Sequence, residues 1–310
     1  MIFVTSHLIA LSFDKYFTDT FVPYLNLKIE IMENNKVWFV TGASKGLGLE
    51  LAKKLLAQGY KVAATSRSEE SLVKALGNPS EKFLPLEMDL TNEQSVKNAI
   101  EVTVSHFKTI DVLVNNAGYG LLGSLEELTD AESRKNYEVN VFGLLNVIRN
   151  TMPYMRANKS GHIFNIASIG GYNGGFPGWG IYCSTKFAVA GLTESLAAEV
   201  KEFGVNVTLV YPGYFRTDFL KDSSLLLPQN PIEDYKAVRE SEVAHKDSIN
   251  ENQPGDPEKF ATALIKMSVE ENPALHLFVG QDAYDMANVK IAEVQKELEQ
   301  WKAVSVSTGF

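Results

Sequence analysis

Tyr182 and Lys186 lie one helical turn apart in the run Tyr182-Cys183-Ser184-Thr185-Lys186, which continues into small and apolar residues of helical character. At that spacing two side chains share a helix face, so a phenol stands beside an ammonium. A neighbouring cation favours phenolate over phenol and draws a tyrosine pKa down from its ordinary ~10. The pair therefore offers a proton donor and acceptor usable near neutral pH. Taken alone, such a pair is more often a surface Tyr and Lys that share a face, and the rest of the chain has to decide.

The elements that must position this pair are readable. Short apolar, β-branched runs at 37–41, 61–65, 83–87, 111–115, 162–167, 205–211 and 276–279 predict strands. Helical periodicity fills 46–58, 92–107, 131–157, 181–203 and 257–269. This alternation predicts an α/β fold, a doubly wound parallel sheet in a single domain with helices on both faces. Periodicity fails between Asp218 and Pro257, where Pro228, Pro231, Pro254 and Gly255 frame a polar helical piece. Long irregular insertions in compact domains tend to be lids or binding loops, so residues 218–256 are read as a substrate lid, the plain alternative being a surface excursion. Residues 1–31 differ from the rest, and a strand follows closely after Met32. They are expected to be an extension upstream of a true start at Met32, with 32–310 as the domain.

After the first strand comes Thr41-Gly42-Ala43-Ser44-Lys45-Gly46-Leu47-Gly48, then a helix. Glycines at such a turn let the backbone bend sharply and approach a pyrophosphate, which the helix N-terminus stabilises. The spacing Gly-x-x-x-Gly-x-Gly matches neither the common dinucleotide fingerprint nor the Walker loop, and a merely tight turn is the alternative. The second strand ends in Ser66-Arg67, with no acid at its tip to take a ribose 2′-hydroxyl. Arg67, with Lys45 from the glycine turn, supplies two positive charges suited to a 2′-phosphate, which predicts NADP(H) as cofactor.

Composition narrows the field further. An apolar share of 45% and a charged share of 22% are those of an ordinary globular protein. A net charge of −9 without a basic run argues against nucleic acid as partner. The apolar start, Met1 to Phe13, is too short to span a bilayer, so no membrane role and a cytoplasmic location are expected. The single cysteine, Cys183, excludes an intrachain disulfide framework; it reads as a small buried filler, and no metal site is expected.

The glycine turn, Asp89-Leu90 after the third strand, Asn115-Asn116-Ala117-Gly118 after the fourth, Asn140, Ser168, Tyr182 with Lys186, and Pro212-Gly213 with Thr217 follow in an order that resembles the short-chain dehydrogenases/reductases. The likeness covers about residues 36–280, and Phe187-Ala188 with the long lid is similar to the retinol and hydroxysteroid dehydrogenase-like branch. It implies a Rossmann-type fold in which Gly42, Ser44, Gly46, Leu47 and Gly48 cradle the pyrophosphate and Ser66 joins Arg67 at the ribose. It further implies that Asp89 and Leu90 border the adenine, that Asn115, Asn116, Ala117 and Gly118 support the ribose and brace the sheet, and that Pro212 to Thr217, with Gly213 among them, meet the nicotinamide end. In this reading Tyr182 protonates the carbonyl oxygen, Lys186 lowers its pKa and binds nicotinamide ribose, and Ser168 donates a hydrogen bond to the same oxygen. Asn140 sits in a helix, where an amide usually marks a solvated face. The resemblance instead has it hold a water that links Lys186 to solvent. The gap from Ser168 to Tyr182 is one residue longer than the common spacing, within a glycine-rich stretch expected to absorb it.

The expected function is an NADP(H)-dependent oxidoreductase that interconverts a ketone or aldehyde and an alcohol. Gly171, Tyr172, Phe176, Pro177, Trp179, Phe215, Phe219 and Leu225-Leu226-Leu227 suggest an apolar pocket and so a small hydrophobic substrate. Core packing accounts for these residues almost as well. A non-catalytic NADP(H) sensor or scaffold on the same fold is the alternative, against which the complete set Asn140, Ser168, Tyr182 and Lys186 speaks. An epimerase or dehydratase on a related fold is disfavoured by the glycine spacing and the short substrate region. The resemblance implies that copies pair through the long apolar-faced helices 131–157 and 181–203 as a homodimer or homotetramer, and 283–302 forms a further amphipathic helix.

Overall fold

The first core strand, Val37–Thr41 (β1), is a five-residue run buried along its whole length, which demands cover on both faces. The computed structural model describes residues 35–310, so the expectations for residues 1–31 and Met32 lie outside the described residues. The remaining strands are Lys61–Ser66 (β2), Phe83–Glu87 (β3), Val112–Asn115 (β4), Gly120–Leu121 (β5), Gly161–Ile166 (β6), Val205–Pro212 (β7), Leu225–Leu226 (β8) and His276–Val279 (β9). Seven of them form one parallel sheet in the order β3-β2-β1-β4-β6-β7-β9, while β5 pairs with β8 apart from it. The chain leaves β1 towards β2 and β3, then returns to β4 on the other side. The carboxyl ends of β1 and β4 therefore flank a topological switch point, where open α/β sheets form their ligand crevice.

Helices Gly46–Ala57 (α1), Glu69–Leu76 (α2) and Pro257–Met267 (α8) cover one face. Glu93–Phe107 (α3), Gly143–Asn158 (α5) and Gly180–Val200 (α6) cover the other. Asp130–Tyr137 (α4) runs into α5 through a π-helical turn, Glu138–Phe142, so the single predicted helix 131–157 carries a local widening. Lys236–Val243 (α7), Gln281–Gln300 (α9) and Lys302–Ser305 (α10) complete the described helices, with α9 where the amphipathic pattern placed it. No helix among the described residues is long and apolar enough to cross a membrane. Several elements have no counterpart in the sequence reading, α2 and the β5–β8 pair among them. Helix α2 buries Leu72 alone, too thin a stripe to register as periodicity, although Ser68 caps it by accepting from the Ser71 N–H. The β5–β8 pair is two residues long and joins loops a hundred residues apart.

The 218–256 segment packs a third, smaller core over the carboxyl end of the sheet. Leu220, Leu225 and Val238 from the segment meet Leu122, Trp179 and Tyr182 from below. Its main anchor is polar. The buried Glu127 carboxylate accepts from the Ile232 N–H (3.0 Å) and the Ser124 N–H (3.0 Å) and pairs with Arg239. Burial pushes this carboxyl up, but the two N–H groups and Arg239 outweigh it and hold it below its ordinary value.

Candidate active site

The glycine turn is built by sterics. Gly42 and Gly46 adopt φ of +67° and +61°, a region costly for any residue with a side chain. A Cβ at Gly48 would lie 2.5 Å from Asn116 Nδ2 and 2.6 Å from the Gly42 carbonyl. Asn116 is why that space is closed: its Nδ2 donates to the Thr41 carbonyl (2.9 Å) and the Gly42 carbonyl (3.1 Å). Thr41 Oγ1 in turn accepts from the N–H groups of Asn116 (3.0 Å) and Ala117 (3.0 Å). The turn after β4 thus braces the turn after β1. A Cβ at Gly46, by contrast, would meet only Thr217, at 3.8 Å, so this glycine leaves the helix N-terminus open to a ligand.

That opening belongs to a cavity of about 430 Å³ running along the carboxyl ends of the strands. Its walls bring together Gly42, Ser44, Lys45, Gly46, Leu47, Ser66, Arg67, Asp89, Leu90, Asn116, Ala117, Gly118, Ser168, Tyr182, Lys186, Pro212, Gly213 and Thr217. Gly48 and Asn140, also expected at the site, stand behind the wall and shape it. At the glycine end Lys45 donates to the carbonyl (2.9 Å) and hydroxyl (3.0 Å) of Ser223, on the 218–256 segment. Burial first and the Arg67 guanidinium second push its ammonium below the ordinary value, while Asp218 pulls back. Two cations therefore share one exposed corner. The donor set fits a nicotinamide dinucleotide: an open helix N-terminus for the pyrophosphate, with the cations of Arg67 and Lys45 at the glycine end of the cavity.

At the other end stand the groups that the sequence singles out for proton transfer. Ser168 follows β6 and begins the short 3₁₀ turn Ile169–Gly171, its Oγ accepting from the Gly170 N–H (3.1 Å). A Cβ at Gly170 would sit 3.5 Å from Ser168 Oγ and 3.7 Å from Tyr182 Cε1, so the longer loop still brings the serine beside the phenol. Tyr182 and Lys186 are both buried on α6. Lys186 donates to the Ile166 carbonyl (2.9 Å), and its Nζ lies 5.8 Å from the centre of the Tyr182 ring.

The charge state differs from the sequence expectation. Burial pushes the Tyr182 phenol above its ordinary value, the Ser168 hydroxyl pulls it down less strongly, and Cys183 and Tyr214 add to the rise. Burial lowers Lys186 to about 8. Spacing alone predicts attraction to the cation. Desolvation of two groups on the same closed wall, with the ammonium turned to a carbonyl, outweighs it. The rise keeps Tyr182 in its protonated form at neutral pH.

Asn140 is buried rather than solvated, because the π turn rotates it inward. Its Nδ2 donates to the Tyr119 carbonyl (3.0 Å) and Thr185 Oγ1 (3.2 Å), and its Oδ1 accepts from the Tyr119 N–H (3.0 Å). A Cβ at Gly118 would lie 3.0 Å from Asn140 Oδ1 and 3.6 Å from Lys186 Nζ, so the amide braces the loop against which Lys186 rests. Asn115 is a brace of the same kind: it donates to Asn165 Oδ1 (2.8 Å), whose Nδ2 donates to Thr193 Oγ1 (2.9 Å), tying β4 and β6 to α6.

Of the expected apolar pocket, Phe176, Trp179, Phe215, Phe219 and Leu226 line the cavity. Tyr172 does not. It packs on Tyr211 and Phe278, and Gly171 packs against α6, where a Cβ would strike the Lys186 carbonyl at 2.7 Å. Cys183 is a free, buried thiol, raised to about 11 by burial. Sequence reasoning missed Tyr214, His245 and Gln253 in the wall. The Tyr214 hydroxyl meets His245 Nε2 (3.0 Å), and His245 Nδ1 meets the Ser241 carbonyl (2.7 Å). Asp282 was missed as well, although Gly213 signals it: a Cβ there would lie 2.2 Å from the Asp282 carboxylate, which accepts from the Tyr214 N–H (2.6 Å).

A family model described as short chain dehydrogenase matches residues 36–225. The chain is 34% identical over 275 residues to oxidoreductase BOA17 of Botryotinia fuckeliana, covering 88% of this chain and 99% of that protein. It is 37% identical over 250 residues to a 3-ketodihydrosphingosine reductase of Bacteroides thetaiotaomicron, covering 79% and 88%. A short-chain dehydrogenase structure from Streptomyces avermitilis superimposes with a TM-score of 0.81 at 34% identity, over 89% of this chain and all of the other. A short chain dehydrogenase from Burkholderia cenocepacia, solved with NADP, gives a TM-score of 0.66 at 27% identity, over 86% of this chain and 98% of the other.

Proposed function

The chain belongs to the short-chain dehydrogenase/reductase family of oxidoreductases, and we propose that it reduces a ketone or aldehyde, or oxidises the corresponding alcohol, with NADP(H) and with Tyr182 as general acid and base. The observation that carries this reading is the convergence of Ser168, Tyr182 and Lys186 on one end of a cavity whose other end holds the glycine turn, Lys45 and Arg67. A bound nicotinamide supplies or takes the hydride. Tyr182 gives its phenolic proton to the oxygen that becomes the alcohol. Ser168 donates a hydrogen bond to the same atom and stabilises charge as it grows. Lys186, with its ammonium held against the Ile166 carbonyl, compensates the phenolate left behind.

Arg67 and Lys45, with no acid at the tip of β2, support the phosphorylated cofactor. The 218–256 segment acts as a lid, and its Phe219 and Leu226 with Phe176 and Phe215 suit an apolar substrate. The reductase of a keto compound among the relatives agrees with a carbonyl substrate. Phe142 at the start of α5 and Phe187 on α6 are about half exposed, which supports pairing of copies through these helices.

The test is a screen of ketones and aldehydes with NADPH and NADH, read at the nicotinamide absorbance, followed by Tyr182→Phe. The variant should lose turnover by roughly 10²–10⁴-fold while NADPH affinity stays. Full activity in Tyr182→Phe would refute the acid assignment.

A further inference from the structure

Gln253 is 2% exposed, and neither its Nε2 nor its Oε1 has a hydrogen-bond partner among the described residues. Buried carboxamides are normally satisfied, so an unpaired one asks for a ligand or a reason. Its backbone is tied in place. Arg216 donates from its guanidinium to the Gln253 carbonyl (3.2 Å), the Arg216 N–H donates to the Gly255 carbonyl (2.9 Å), and the Gly255 N–H donates to the Tyr214 carbonyl (2.9 Å). The strap holds the side chain in the cavity wall.

Trp179 lines the same cavity, 6% exposed, and its indole Nε1 is likewise unpaired among the described residues. Its ring meets Tyr182 edge-on, with centroids 5.4 Å apart, and lies 4.8 Å from the His245 ring. His245 is already engaged, its Nδ1–H with the Ser241 carbonyl and its Nε2 with the Tyr214 hydroxyl. Among the residues of this wall, the Trp179 indole N–H and the Gln253 carboxamide are the buried side-chain polar groups left without a partner among the described residues, and Phe176, Phe215 and Phe219 line the same cavity.

We propose that Gln253 and Trp179, the latter packed on Tyr182, supply a polar subsite of this cavity that hydrogen-bonds a second, neutral group of an otherwise apolar carbonyl substrate. An indole N–H only donates, and a carboxamide both donates and accepts. The matching ligand group accepts and donates without charge, as a hydroxyl or carboxamide does. An ionised group would be desolvated there with no counter-charge from either side chain. The inference rests on the cavity being the site of carbonyl reduction.

The experiment uses the full chain with NADPH and a series of medium-length alkyl ketones bearing one hydroxyl at successive carbons, each beside its unsubstituted parent. In the wild type the best-placed hydroxyl should raise kcat/KM at least ~10-fold over the parent. In Gln253→Leu that ratio should fall to about one, and Trp179→Phe should lower it in part. A wild-type ratio near one at every position, or a ratio unchanged in Gln253→Leu, overturns the proposal. Gln253→Met serves if the leucine variant does not fold. If no ketone is turned over with either nicotinamide, the reductase reading fails. Calorimetric binding of the same hydroxylated and parent pairs to wild type and Gln253→Leu then decides the subsite by the same ratio.

Discussion

Gly48→Ala should damage the protein more than Gly46→Ala does, although Gly46 has the strained backbone and Gly48 does not. The added Cβ at Gly48 falls 2.5 Å from Asn116 Nδ2 and 2.6 Å from the Gly42 carbonyl. The carbonyl belongs to a residue fixed at φ +67° and cannot retreat, so the Asn116 amide must. That breaks its bonds to the Thr41 and Gly42 carbonyls, about 1 kcal/mol each. Residual crowding adds about 1–3 kcal/mol. Alanine's better helix propensity returns at most about 1 kcal/mol. The net loss is about 2–4 kcal/mol, which lowers Tm by roughly 5–10 °C in a domain of this size. At Gly46 the Cβ meets only Thr217 at 3.8 Å, so the cost is the left-handed strain, about 1–2 kcal/mol, while NADPH affinity falls because the methyl occupies the approach to the helix N-terminus. Urea unfolding and a fluorescence titration with NADPH separate the two effects. A Gly48→Ala protein as stable as wild type, or a Gly46→Ala protein less stable than the Gly48→Ala protein, would refute the account of why the two glycines are there.

Three further outcomes are expected. Arg67→Asp should shift the ratio of kcat/KM from NADPH towards NADH by at least ~10-fold, and an unchanged ratio removes Arg67 from the 2′-phosphate site. Arg239→Met leaves Glu127 buried without its counter-charge and should cost about 3 kcal/mol. Because Glu127 is held below its ordinary value, its contribution is present at neutral pH and lost as pH falls through the folded value; the variant should begin to lose it at higher pH, read as earlier proteolysis within 218–256 on acidification. Burial lowers Lys186 to about 8 in the folded chain, below the ordinary ammonium value it keeps when unfolded, so above about pH 8 the unfolded chain binds a proton the folded one lacks and this group's contribution to stability rises with pH. Because the raised Cys183 thiol acts in the opposite direction over the same range, the measure is the difference in denaturation midpoints: between about pH 8 and 10 the stability of wild type relative to Lys186→Met should rise.

The sheet, the glycine turn and the proton-handling pair were legible because each depends on local pattern: buried β-branched runs, glycines at a strand-to-helix turn, a fixed helical spacing. What the sequence hid depends on distant partners. Asn140 reads as solvated by propensity, and only the π turn at Glu138–Phe142 turns it onto Tyr119 and Thr185. Gln253 and His245 lie in a polar stretch with no apolar stripe, and their burial follows from docking of the 218–256 segment through Glu127 and Arg239. Asp282 left a trace in Gly213, but a glycine does not say which side chain claims its space.

In the proposed reaction, the sign of the Tyr182 shift alters what Lys186 does. A cation that stabilised phenolate in the resting enzyme would spend its attraction before the reaction began. Here burial keeps Tyr182 protonated and penalises the Lys186 charge, so the two do not compensate each other at rest. They do so once the phenol has given its proton to the substrate oxygen. At the 5.8 Å between Nζ and the ring centre, an effective dielectric near 20 gives an attraction of ~3 kcal/mol. It exists only while the phenolate does. Interactions stronger in the transition state than in the ground state are those that accelerate a step, and ~3 kcal/mol corresponds to roughly a hundredfold. The cost of burying Tyr182 and Lys186 on one wall is thus carried by the folded protein in advance, and the helical spacing that first drew notice serves to place the ammonium where that charge will form.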